Sequence, residues 1–148
     1  MSLSADWKEF IELLNSNGAE YVIVGAHSLA FHGQPRFTGD LDILVRPATE
    51  NARKLISILR QFGFSEMKIT ENDFVEPGQV IQLGRAPNRI DLLTSLSGVG
   101  VDEAFATKVA AQLDTLPVFI LSKELLMRNK RAVGRPQDIA DLDHLEGD

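Results

Sequence analysis

The chain has 148 residues, 44% hydrophobic and 24% charged, with a formal net charge of −6 and no cysteine. Those values suit one domain spanning 1–148, able to bury roughly 68–70% of the surface its unfolded chain exposes. They exclude disulfide and thiol chemistry and argue against a general nucleic-acid binder, which needs Lys and Arg to neutralise phosphates.

The first residues, Met1-Ser2-Leu3-Ser4-Ala5-Asp6, lack the basic and apolar regions of a signal peptide. No apolar run approaches the ~20 residues that span a bilayer, so the expectation is a cytoplasmic protein without a membrane partner. Trp7, Phe10, Ile11 and Leu14 follow i, i+3, i+4, i+7 spacing, the stripe of an amphipathic helix ended near Gly18. Tyr21-Val22-Ile23-Val24 reads as a buried strand entering a turn at Gly25, with a short helix from Ala26 to His32 closed by Gly33. Leu41 to Val45 is again strand-like. Thr49 offers a helix cap before Ala52, Leu55, Ile56, Leu59 and Phe62, a stripe that stops at Gly63. From Phe64 to Thr94 the pattern reads as β-rich, with strands at 79–83 and 89–93 joined by a hairpin loop, Gly84-Arg85-Ala86-Pro87-Asn88. A short helix near Asp102 to Ala111, a strand at Pro117 to Leu121, and two helices complete the chain. The helices are Ser122 to Val133, capped by Ser122, and Pro136 to Leu145, with proline at the favoured first position. The whole reads as an α/β (α+β) domain, a mixed sheet flanked by helices.

The chemistry concentrates at Asp40-Leu41-Asp42. On a strand, alternate side chains share a face, so Asp40 and Asp42 point together and Leu41 and Ile43 point away. Two carboxylates side by side raise the cost of ionising each other. A divalent cation reverses that, because Mg²⁺ takes oxygen ligands and is held by carboxylates plus substrate phosphates. Asp91 lies inside the apolar run Ile90-Asp91-Leu92-Leu93, where a solvated acid would be out of place. If its strand neighbours the first, three carboxylates converge. Between Lys123 and Arg135 lie Lys123, Arg128, Lys130, Arg131 and Arg135 against one acid, Glu124, a local basic patch suited to a triphosphate.

These residues resemble the nucleotidyltransferase superfamily, which shares its fold with DNA polymerase beta, and within it the small bacterial group around the AbiEii-type proteins. The likeness rests on Val22-Ile23-Val24-Gly25-Ala26-His27-Ser28 for the strand and turn, Arg36-x-Thr38-x-Asp40-x-Asp42 for the acidic strand, and Ile90-Asp91-Leu92 for the third acid. It extends to Leu121-Ser122-Lys123-Glu124-Leu125-Leu126 and Gly134-Arg135-Pro136-Gln137-Asp138 in the closing helices, and covers roughly Tyr21 to Leu145. Ala26 stands where the family turn has glycine or serine, and so lacks a hydroxyl for phosphate.

The resemblance implies two metal ions, Mg²⁺ or Mn²⁺, bridged by Asp40 and Asp42, with Asp91 helping to place the ion that activates an acceptor hydroxyl. It implies a nucleoside triphosphate as partner, with Gly25, Ser28, Arg36, Thr38 and Lys130 as candidate nucleotide contacts. The alternatives are a plain strand-to-helix turn at Gly25, an ordinary polar helix residue at Ser28, a partner for Asp40 in Arg36 and a strand-edge hydroxyl at Thr38. Lys130 stands out for lying on an otherwise apolar line with Leu126 and Val133. The acceptor would be RNA, a protein or a small molecule, the net charge speaking against RNA. A toxin–antitoxin setting, a protein partner or a homo-oligomer follows by analogy alone. The competing readings are a catalytically weak binding or regulatory module of the same fold and a structural α/β domain whose acids are merely solvated.

Overall fold

The computed structural model describes residues 3–33, 39–64, 68–85 and 87–147. Helix α1 (Ala5–Ser16) is capped by Ser4, whose Oγ accepts the Trp7 amide at 3.2 Å, and its four stripe residues are all buried. Strand β1 (Tyr21–Val24) runs into α2 (Gly25–Phe31), and β2 (Asp40–Val45) precedes α3 (Thr49–Phe62), which ends on left-handed Gly63. Next come α4 (Glu71–Val75), β3 (Val80–Leu83), β4 (Arg89–Leu93), α5 (Val101–Ala106), β5 (Val109–Leu113) and β6 (Leu116–Ile120). Helices α6 (Lys123–Val133) and α7 (Pro136–Glu146) close the chain.

The six strands form one mixed sheet in the order β3-β4-β2-β1-β6-β5. β2 runs antiparallel to β1 and parallel to β4; β1 runs parallel to β6; the outer pairs β3–β4 and β5–β6 are antiparallel. Helices cover both faces, which is why β1 is apolar at every position. Tyr21 and Ile23 join Leu41, Ile43, Ile90 and Leu92 under α1, α3 and α4. Val22, Val24 and Leu44 face the other way, against Leu29, Phe105, Leu125 and Leu126.

Three local expectations need correction. The stretch read as β-rich contains α4, set by a capping box in which Thr70 and Asp73 exchange hydrogen bonds. Thr49 is the first helical residue rather than the cap, which is Ala48 without a side-chain bond. The helix expected over 102–111 stops at Ala106, and the rest becomes β5. Its alanines suit either state, and pairing with β6 across a tight turn, with Asp114 at φ +57°, decides for strand. Among the described residues no helix is long and apolar enough to cross a membrane.

Candidate metal and nucleotide site

Strands β2 and β4 lie side by side and parallel, with Asp42 opposite Asp91 and Asp40 opposite Arg89. Alternation therefore puts Asp40, Asp42, Arg89 and Asp91 on one face of two adjacent strands. Asp91 is 6% exposed, whereas Asp40 and Asp42 are half-buried. The three predicted acids do come together.

Gly25 borders the same spot. It opens α2 at φ +68°, and a Cβ there would collide with Oδ2 of Asp42. Glycine is thus demanded twice, by the backbone and by the neighbouring carboxylate. Beyond Asp42 opens a cleft of about 420 Å³, whose walls include Gly25, Gln79, Ser95, Ser97, Asn129 and Arg135. Its far wall is fastened by Thr94, a buried residue whose Oγ1 donates to the Glu76 carbonyl at 2.7 Å and accepts the Gln79 amide at 2.8 Å.

The electrostatics of the cluster are unusual. Burial pushes the Asp42 carboxyl up to about 7, with the charges of Asp91 and Asp40 and a hydrogen bond shared with Asp91 adding to the effect, and Arg89 opposing it. Arg89 Nη2 donates to Asp40 Oδ2 at 3.0 Å and to Asp91 Oδ2 at 3.2 Å. Its Nε lies 3.1 Å from Asp91 Oδ1. That last approach is an ion pair without hydrogen-bond alignment, so the buried Oδ1 of Asp91 accepts no N–H or O–H hydrogen bond among the described residues. A buried carboxylate oxygen with no hydrogen bond, beside two further carboxylates, is a donor set that fits a hard divalent cation. In the present arrangement no three acidic or imidazole side chains among the described residues enclose a cation position. The carboxylates of Asp40 and Asp91 close on Arg89 instead. The sequence puts Arg89 two residues before Asp91 on the same strand, and only the β2–β4 pairing sets it opposite Asp40.

The other expected contacts divide. Gly25 lines the cleft. Arg36 and Thr38 lie outside the described residues. Ser28 is fully buried in α2, its Oγ without a hydrogen-bond partner among the described residues and away from the cleft lining. Lys130 is also buried, its ammonium 3.3 Å from Asp138 and 3.0 Å from Asp141, fastening α7 to α6. The basic patch is largely matched by acids from elsewhere in the chain, with Arg128 on Glu103 and Arg131 on Glu146. Arg135 pairs with Asp138 at 2.7 Å and keeps a side chain 69% exposed at the cleft.

No protein-family model and no curated sequence matches the chain. Among solved structures it resembles the crystal structure of a "putative nucleotidyltransferase" from Thermotoga maritima, with a TM-score of 0.60 at 16% identity, over 95% of this chain and 90% of that one. At that identity the likeness speaks for architecture alone, and the architecture agrees with the mixed sheet, the flanking helices and the two closing helices. This chain has the nucleotidyltransferase fold.

Proposed function

We propose that the protein is a metal-dependent nucleotidyltransferase that moves a nucleoside monophosphate from a triphosphate to an acceptor hydroxyl. The observation that carries this reading is the convergence of Asp40, Asp42 and Asp91 on one face of neighbouring parallel strands, with Asp42 lining a cleft. Mg²⁺ or Mn²⁺ held by these acids would neutralise charge on the attacking and leaving oxygens. The acceptor oxygen bonds to the α-phosphorus as the bond to the bridging oxygen breaks. Pyrophosphate leaves, and the hydroxyl proton passes to solvent. Gly25 leaves room for the Asp42 carboxylate and opens the backbone toward the phosphates. Arg135 offers an exposed guanidinium to an anion in the cleft. The motifs resemble those of the AbiEii-type group, and by analogy with it we extend the reading to a cytoplasmic toxin–antitoxin setting, with a protein partner or a second copy of the chain.

A second reading, a partner-binding module of the same fold, is favoured by one feature: Arg89 already pairs with two of the three acids. Calorimetric titration with each nucleoside triphosphate, in Mg²⁺ or Mn²⁺ and then in EDTA, separates the two. The enzyme reading expects metal-dependent binding that an Asp40→Asn/Asp42→Asn double variant abolishes. No binding of any triphosphate at millimolar concentration would leave the module.

A further inference from the structure

We propose that Arg89 is an internal cation that holds the carboxylate cluster until a divalent ion displaces it, so that metal loading and release of Arg89 are one event. This rests on the metal-binding reading of the three acids.

Three acids on one face need a positive partner, since like charges at this spacing destabilise each other. Arg89 supplies it from within the face, one strand position from Asp91 in the alternating pattern and directly opposite Asp40. Its guanidinium reaches Asp40 at 3.0 Å and Asp91 at 3.1 Å, so it spans two of the three candidate ligands. A divalent ion on those carboxylates competes with the guanidinium for their charge and lone pairs.

A purely structural ion pair is the plainer account, and two features count against it. The β2–β4 ladder is already continuous from Asp40 to Leu44 against Arg89 to Leu93, with apolar neighbours fixing its register. The pair is also made on one side only: Nη2 of Arg89 donates to Oδ2 of Asp91, whereas the buried Nε and Oδ1 share an ion pair without an aligned hydrogen bond. An unaligned buried donor and acceptor cost stability that an aligned bond would recover. Arg89 keeps a side chain 32% exposed, so it has a path out to solvent. By linkage, whatever favours metal on the acids favours the released guanidinium, and the reverse holds equally.

The test measures Mn²⁺ affinity of the full chain by calorimetry for the native protein, Arg89→Gln and Arg89→Lys, with thermal melts in EDTA and in Mn²⁺. Removing the competing charge is expected to tighten Mn²⁺ binding about tenfold in Arg89→Gln, a partly exposed site being screened by solvent. The same variant should melt lower in EDTA and gain more from Mn²⁺ than the native protein, with Arg89→Lys between them. A folded Arg89→Gln that binds Mn²⁺ no more tightly than native overturns the inference while the metal reading stands. If Arg89→Gln fails to fold in EDTA, Arg89→Lys decides, and an affinity equal to native overturns the inference. Failure of native and variants alike to bind Mn²⁺ removes the metal reading, and this inference with it.

Discussion

Gly25 and Asp42 touch in a way that makes each a probe of the other. At Gly25, alanine would need a left-handed backbone and would push on Oδ2 of Asp42. Gly25→Ala is therefore expected to lose about 1–3 kcal/mol of stability in urea denaturation and to weaken metal-dependent triphosphate binding. Native-like values for both would show that the turn yields freely. Asp42 carries the pH dependence. Its carboxyl is raised from 3.8 to about 7, so within that window the folded protein keeps a proton the unfolded chain has released, and stability falls as pH rises. Asp42→Asn should consequently melt higher than native at pH 8 in EDTA, by about 1–2 kcal/mol once partial exposure is allowed for. In Mn²⁺ the order should reverse. Metal affinity of the native protein should also weaken as pH drops below about 7, since binding must expel that proton. The acids themselves were legible because an Asp-x-Asp pair on a strand and an acid in an apolar run both conflict with stability. Arg89 escaped notice because its meaning depends on which strand lies beside β4.

Among the elements, α6 and α7 are joined by charge as much as by apolar contact. Lys130 has a side chain 7% exposed between Asp138 and Asp141, which are 1% and 2% exposed. The hydrogen bond from Arg135, aided by Lys130, holds the Asp138 carboxyl down at about 2. A depressed carboxylate stabilises the fold above its unfolded value of 3.8, and that contribution is lost as pH falls toward 2. Lys130→Met should cost about 3 kcal/mol, the low end for breaking a buried pair, because Arg135 still serves Asp138. Arg131→Ala, at an exposed pair with Glu146, should stay within about 1 kcal/mol of native. Equal costs in urea denaturation would contradict the distinction drawn from burial. The sequence marked Lys130 as odd on an apolar line, yet could not say which anion meets it. A lysine that reaches a bound phosphate and one that reaches a buried aspartate leave the same trace in a helical pattern.

At the scale of the whole molecule, the acid limb of stability should report on His27. It is 2% exposed, packs edge-on against Trp7 at 5.0 Å, and has no hydrogen bond at either ring nitrogen among the described residues. Burial lowers its pKa from 6.5, so the unfolded chain takes up a proton first and stability is lost as pH falls below 6.5. His27→Phe keeps the ring contact and should flatten the stability profile below pH 6.5, which melting curves at stepped pH would show. An unchanged slope would assign the acid limb to other groups.

The helical stripes of α1, α3 and α6, the buried run of β1 and the acids of β2 and β4 were determined by the sequence itself. Each is a local pattern of period 3.6 or 2, and local patterns depend only on which residues are neighbours along the chain. The tertiary structure alone decided the strand order that sets Asp42 against Asp91, the β5 strand made from residues equally suited to a helix, and the partners of Arg89 and Lys130. Those are contacts between distant segments, chosen by which faces bury together and which charges find a counter-ion, and no local periodicity records that choice.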